Sequence, residues 1–371
     1  MSPHLEAELR GFDPNLPLER ARTIPSSWYF DPEIYDLEKN AVFSGTWQMV
    51  GRLEQVAESG AYLTAEIAGY PLLVIRDEKG TLRAFHNVCR HRAAPLLTEP
   101  CGHVTKLRCR YHGWTYDLSG KLRGTPEFDG VQEFCKDDNG LVEVAVAVWG
   151  PTVWVHLDSR HQPLEQSLAP LPEWMTGRGL EQMHFCGRHE YLLNCNWKVY
   201  VDNYLDGGYH VNTIHPALAG VLDYSQYKTA THGSTSVQTA PLVANLADAT
   251  TTRTRTGSLA AYWWAMPNFM LNWYEGVIDT NLVLPLGPDK CRVVFDFYFA
   301  RTEGAEARQY IEESMAVARQ VQEEDLRICE DVQKGLASRS FRTGRFSVKR
   351  EVAGYYFHQL LARKLLERAI L

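Results

Sequence analysis

Several things are missing from this chain of 371 residues, and each absence excludes a class of function. There is no excess of positive charge: 45 acidic residues outnumber 38 lysines and arginines, giving a net charge of -7, so general binding to nucleic acid or to an anionic membrane is not expected. No apolar run nears the roughly 20 residues that span a bilayer, and residues 1–15 lack the apolar core of a secretory signal, so the chain reads as cytoplasmic. It has no Gly-rich dinucleotide loop, no internal repeat and no low-complexity tract. Its eight cysteines are scattered, as buried thiols are in a reducing compartment, rather than arrayed as a disulfide framework. Two of them differ because histidines sit beside them. The length exceeds what one compact core usually holds, so two domains are expected.

Residues 1–42 read as a leading segment with a short helix over 32–40. From Trp47 to Leu157 the pattern is short alternating runs punctuated by Gly, Pro and Asp, with strands over 61–67, 71–76 and 152–157. This small all-β domain holds Cys89-Arg90-His91 and, seventeen residues later, Cys109-Arg110-Tyr111-His112. Two thiolates and two imidazoles on two loops form the ligand set of a Rieske [2Fe-2S] centre, with Cys89 and Cys109 on one iron and His91 and His112 on the other. The alternative is a structural zinc site, whose usual signature pairs its cysteines together and its histidines together. Here they are interleaved.

A Pro-rich connector after residue 159 leads to a strand over 187–193 and then to the run from Asp202 to Pro216, which contains Asn203, Asp206, His210 and His215. Five residues on an ideal helix rotate a side chain by about 140°, so His210 and His215 cannot share a helical face. The helix must end between them, and Pro216 is consistent with that. Two imidazoles and a carboxylate make the facial triad of non-haem Fe(II) oxygenases. A helix over 310–336 offers the third ligand. Its apolar stripe runs Val317, Val321, Ile328, Val332, Leu336, and the position that completes the period is Asp325. A carboxylate on a buried stripe is costly unless paired or bound to metal, so Asp325 reads as a metal ligand or a salt-bridge carboxylate. Glu323, Glu330 and Asp331 read as solvated charges.

Between these regions the aromatic stretch 260–274 predicts two strands split near Pro267, followed by strands over 281–288 and 291–299. Any one ring there is first of all sheet core. The sharper reading is a pocket lined by Tyr262, Trp263, Phe269 and Trp273, able to hold a flat apolar molecule or a quaternary ammonium by cation-π attraction. Residues 250–256 read as a mobile polar loop over that pocket.

The runs Phe85-His86-Asn87-Val88-Cys89-Arg90-His91-Arg92 and Cys109-Arg110-Tyr111-His112-Gly113-Trp114 resemble the two cluster loops of the Rieske non-haem iron oxygenase α-subunits, the aromatic-ring-hydroxylating dioxygenase family. The segment Glu324-Asp325-Leu326-Arg327 resembles that family's third-ligand segment. Ala93 stands where the family usually has Gly, which an Ala tolerates unless the loop needs a positive φ. The resemblance covers nearly the whole chain from Trp47 and is greatest to the choline monooxygenase branch, which includes betaine demethylases. It implies an α+β chain in which an all-β Rieske [2Fe-2S] domain (43–158) is inserted into a helix-grip, START/Bet v1-like catalytic domain (159–371), with 1–42 packing on the latter.

It also implies a mononuclear non-haem Fe(II), a homotrimer, a separate NAD(P)H-dependent reductase and possibly a ferredoxin, and a carboxylate bridging the cluster of one subunit to the iron of its neighbour. Many members place that acid three residues before the first histidine ligand, where this chain has Gly207; Asp206 is the expected bridge, with Asp202 as substitute. Asn203 resembles the family's amide near the iron. The expected activity is O2-dependent hydroxylation of a C-H bond, of a quaternary ammonium or N-methyl compound or alternatively of an aromatic or other apolar molecule. A non-catalytic Rieske electron carrier would need neither His210, His215 and Asp325 nor the additional domain.

Overall fold

The computed structural model describes residues 2–243 and 249–370, and the chain divides into two compact units. One is continuous, Phe43–Leu164; the other joins Met1–Val42 to Glu165–Leu371.

In the small unit, a seven-stranded antiparallel sheet runs in the order Gln48–Arg52, Thr152–His156, Glu143–Trp149, Leu82–His86, Tyr70–Arg76, Ala61–Ile67, Cys101–His103. Its inner strand Tyr70–Arg76 carries Leu72, Leu73, Val74 and Ile75 consecutively, and all four are buried because both of its faces are covered. A second sheet of three short strands, Leu107–Arg108, Thr115–Tyr116 and Leu122–Gly124, completes the unit. The two Cys/His loops leave from strand ends, over a core that includes Leu73, Phe85, Leu107, Trp114 and Tyr116. Residues 159–164 group with this unit: Trp47 Nε1 donates to the Gln162 carbonyl at 2.8 Å.

The larger unit is built on a second seven-stranded antiparallel sheet, in the order His184–Leu193, Lys290–Phe299, Val277–Gly287, Phe269–Tyr274, Leu259–Ala265, Thr235–Pro241, Lys228–His232. From Lys228 onward it is a meander of neighbouring strands, and the first strand of the unit closes it beside the last. A 32-residue helix, Ala305–Leu336, and a shorter one, Trp197–Tyr204, complete the helix-grip arrangement together with Val352–Ile370. Asn196 starts the short helix by accepting the Lys198 backbone N–H on its side chain.

Two expectations change here. The buried face of the long helix is Ser314, Val317, Gln322, Asp325, Cys329, Gln333 and Leu336, whereas Val332 is 42% exposed. Polar residues sit inside because they have partners: Gln322 Oε1 accepts from Tyr200 at 2.7 Å, and Gln333 accepts the Asn196 N–H at 2.9 Å and donates to the Tyr29 carbonyl at 3.1 Å. Glu330 is likewise no free surface charge, since Asn194 donates to it from both its backbone and its side chain. Residues 250–256 are not a loop. Ala249–Thr254 is helical, Thr251, Thr254 and Arg255 are buried, and Arg253 pairs with Glu313 of the long helix.

The segment before Val42 is tied to the short helix by one buried ion pair. Lys198 Nζ donates to Glu38 Oε1 at 2.6 Å with both side chains fully buried, and Trp197 Nε1 donates to Glu38 Oε2 at 2.8 Å. Burial pushes the Glu38 carboxyl up and the Lys198 amine down, so each ion depends on the other to stay charged. Removing one partner leaves an uncompensated charge, so Lys198→Met is expected to lose about 3–5 kcal/mol of stability, while the double variant Glu38→Gln, Lys198→Met recovers most of it, as read from chemical unfolding.

Candidate active site

The helix Trp197–Tyr204 ends at Leu205, and the chain reverses through Gly207 and Gly208, which have φ of 72° and 70°. Only glycine fits at Gly207, where a Cβ would lie 2.0 Å from the Arg350 carbonyl oxygen. The reversal brings Asp206 beneath His210: its carboxylate accepts the backbone N–H of Tyr209 and of His210, each at 3.0 Å, and lies 2.5 Å from His210 Nδ1. His210 and His215 bracket a single helical turn, Val211–Ile214, and their rings stand 4.9 Å apart at 78°. At His215 the backbone (φ -114°, ψ 76°) has left the helix, as the following proline requires.

Asp325 arrives from the buried face of the long helix. Its Oδ1 is 3.1 Å from His215 Nε2 and 3.7 Å from His210 Nε2, and accepts from Asn203 Nδ2 at 2.7 Å. His215 Nδ1 is held in turn by Glu324 Oε2 at 2.7 Å. Each imidazole thus has a carboxylate at Nδ1 to hold a proton there, so Nε2, which faces Asp325, is the nitrogen that would ligate once a metal takes the place of its proton. Burial alone would depress the His215 pKa, but its hydrogen bonds to Asp325 and Glu324 outweigh that and raise it. Donor atoms of His210, His215 and Asp325 lie within 4.8 Å of one another, and His215 and Asp325 are buried. Two imidazole nitrogens and one carboxylate oxygen at one point are the donor set for a divalent iron with positions left open.

Glu324 is the residue the sequence did not suggest. It neighbours Asp325 and lies about 100° round the helix, so the stripe that marked one passed over the other. Asp202 goes elsewhere, accepting from Tyr29 at 2.6 Å and pairing with His358 Nε2 at 2.8 Å.

A cavity of about 110 Å3 opens from the triad onto the sheet. Cross-strand register puts Gln238, Tyr262, Asn272 and Asp279 on the face that lines it, joined by Tyr274 and Phe295. Of the four rings expected to line the pocket, only Tyr262 does. Side chains alternate along a strand, so Trp263, Phe269 and Trp273 share the opposite face, where Trp174 packs on both Trp263 and Trp273. The same alternation, followed from Tyr262, selects Asn272 and Tyr274.

In the small unit, the two loops have matching turns: Ala93 N–H donates to the Cys89 carbonyl at 2.9 Å and Gly113 N–H to the Cys109 carbonyl at 3.0 Å. Ala93 has a φ of 59°, so the loop does require the left-handed region, and the alanine occupies it at a cost of about 1–2 kcal/mol. Cys89 and Cys109 are buried, His112 is exposed, and the His91 and His112 rings lie 4.7 Å apart. His91 Nδ1 is buried with no hydrogen-bond partner among the described residues, and burial, then His112 and Arg92, hold its pKa down in the neutral, ligating form. A single zinc would draw all four donors to within about 4 Å of one another. Among the described residues only the His210, His215 and Asp325 set converges so closely. Donors from two loops, with Cys89 and Cys109 buried, His91 half-buried and His112 exposed, fit a two-iron cluster.

Because a Cβ at Gly207 meets the Arg350 carbonyl oxygen and forces the turn that leads into His210 to move, Gly207→Ala is expected to cost at least about 2 kcal/mol and, by displacing the His210 ring itself, to lower iron content at the triad, while leaving labile sulfide unchanged. Parallel iron and sulfide assays check this.

The chain matches the model of the ring hydroxylating alpha subunit catalytic domain over residues 180–367 and that of the Rieske [2Fe-2S] domain over 46–135. It is 41% identical over 365 residues to a chloroplastic choline monooxygenase of Arabidopsis thaliana, covering 95% of this chain and 85% of that one. It is 30% identical to a carnitine monooxygenase oxygenase subunit of Escherichia coli, covering 93% and 94%. The solved structure of a quaternary ammonium Rieske monooxygenase, described with carnitine oxidation and inter-subunit electron transfer, superposes with a TM-score of 0.84 at 26% identity over 94% of this chain and 98% of that one. With both the cluster loops and the triad in place, the chain belongs to the ring-hydroxylating alpha subunit family: it is a Rieske non-haem iron oxygenase, an oxidoreductase built for a [2Fe-2S] cluster and a mononuclear iron.

Proposed function

We propose that this oxygenase hydroxylates a C-H bond of a quaternary ammonium compound. The observation that carries this reading is the composition of the cavity beside the triad, which is lined by Tyr262, Tyr274 and Tyr227 together with the buried Asp279. Ring faces attract an alkylated ammonium, and a carboxylate adds the opposite charge. Burial pushes the Asp279 carboxyl up despite its hydrogen bonds from Asn281 and Asn272, and a bound cation, unlike an aromatic or apolar substrate, would favour its charged form. The similarity to choline and carnitine monooxygenases points the same way.

Cys89, Cys109, His91 and His112 would hold the cluster, and His210, His215 and Asp325 the mononuclear iron. When bound, the cluster supplies single electrons and the iron activates O2, so that a C-H bond, O2, two electrons and two protons become C-OH and water. The chain's own residues prepare this. Asp206 and Glu324 hold the Nδ1 protons and so fix both ring orientations, while Asn203 donates to Asp325 Oδ1 and restricts that carboxylate. Asp206 lines both the substrate cavity and a second cavity next to Asp202 and Glu351, which suits a residue that links His210 to a donor arriving from outside. The chain would receive electrons from a separate NAD(P)H-dependent reductase, directly or through a ferredoxin, and work as a homotrimer in which the cluster of one subunit serves its neighbour's iron.

Loaded protein is expected to contain three irons and two labile sulfides per chain; zinc without sulfide would overturn the assignment. Asp206→Ala should retain both centres and slow single-turnover electron transfer by about a hundredfold, and an unchanged rate there with a loss in Asp202→Ala would move the bridge. Product formation coupled to O2 uptake with trimethylammonium compounds tests the substrate class.

A further inference from the structure

The cavity holds a second buried charge. Arg255 follows the short helix Ala249–Thr254, is 8% exposed and lines the cavity with Asp279, which is 6% exposed. Its Nη1 donates to Ser314 Oγ at 3.1 Å and to the Thr254 carbonyl at 3.4 Å, and its guanidinium lies 4.9 Å from the centre of the Tyr274 ring. Its Nε is buried without a hydrogen-bond partner among the described residues. Asp279 receives Asn272 Nδ2 at 2.7 Å and Asn281 Nδ2 at 2.9 Å, both on Oδ2. Opposite charges buried in one cavity ordinarily pair, because each costs several kcal/mol alone. Among the described residues these two form no ion pair, although each feels the other's field.

Their order along the cavity follows from the long helix. Ser314, which anchors Arg255, and Asp325, the proposed iron ligand, share its buried face eleven residues apart, or about 16 Å along the axis. Asp279 stands further along the sheet than Arg255, since it pairs with Asn272, two residues beyond the Tyr274 ring that Arg255 covers, and Asn272 accepts from Tyr204 of the helix that also bears Asn203.

We propose that Arg255 is an anion subsite at the end of the cavity away from the triad, so that the substrate is a betaine-type zwitterion whose carboxylate meets Arg255 while its ammonium lies by Asp279 and the tyrosine rings. This rests on the quaternary ammonium reading above and narrows it. A carboxylate at Arg255 gives the guanidinium the acceptor that its Nε lacks, and the ammonium neutralises Asp279. An N-methyl group is then the part of the ligand turned toward His210, His215 and Asp325. Choline has the same trimethylammonium head and no carboxylate, so it leaves Arg255 unmatched.

The test is calorimetric titration of the iron-loaded protein with glycine betaine and with choline, in the native chain and in Arg255→Met and Arg255→Lys. The native protein should bind glycine betaine at least tenfold more tightly than choline. Arg255→Met should weaken glycine betaine at least tenfold and leave choline within twofold, and Arg255→Lys should restore part of the loss. Equal effects of Arg255→Met on both ligands, or tighter binding of choline by the native protein, overturn the subsite. If Arg255→Met fails to retain iron and sulfide, the native preference between the two ligands decides. Binding of neither ligand sinks the quaternary ammonium reading itself, whereas glycine betaine binding that ignores Arg255 sinks only the subsite.

Discussion

An ionised carboxylate on the packed face of a helix must be met by positive charge or by hydrogen-bond donors, and Asp325 is in that position. Much of the catalytic unit serves to meet it. Asn203 donates to its Oδ1, His215 and His210 direct their Nε2 atoms toward it, and Asp206 and Glu324 hold those imidazoles from behind. The result is three carboxylates around two imidazoles, an arrangement whose negative charge favours a cation at the centre. The glycine pair that lets Asp206 reach His210, and the buried Glu38–Lys198 pair that fastens the helix bearing Asn203, answer the same requirement at greater distance.

The cluster loops answer a different one. Two buried thiols, a half-buried His91 and an exposed His112 place the histidine side of the centre nearer the surface. That is where an electron donor can approach, and where neutral ligands in place of thiolates raise the potential. Ala93 in the left-handed region indicates that loop geometry here is held by its surroundings, not by local preference.

The cavity beside the triad is where reading from sequence went furthest astray. An aromatic-rich stretch announced that rings were available without saying which side of the sheet each would face. Alternation along the strand put Tyr262 and Tyr274 in the cavity and Trp263, Phe269 and Trp273 behind it. Arg255 and Asp279, which set the charge of the cavity, lie in a stretch first read as a loop and in an ordinary strand. Neither segment has a spacing that marks function, because their juxtaposition comes from the sheet folding over the long helix.

What the sequence determined by itself is the inventory of metal donors. Cys-x-His and Cys-x-x-His, two histidines that cannot share a helical face, and an acid on an apolar stripe each follow from local geometry, which depends only on neighbours along the chain. Even there the stripe was rotated, since Gln322 and Gln333 go inside on the strength of hydrogen bonds to Tyr200, Asn196 and Tyr29. Only the tertiary structure decided that Glu324 rather than a nearer residue supports His215, that Asp206 and not Asp202 meets His210, and which rings and charges line the cavity. Those choices are made by contacts between segments about 100 residues apart or by the hand of a turn, and neither is encoded in a local pattern.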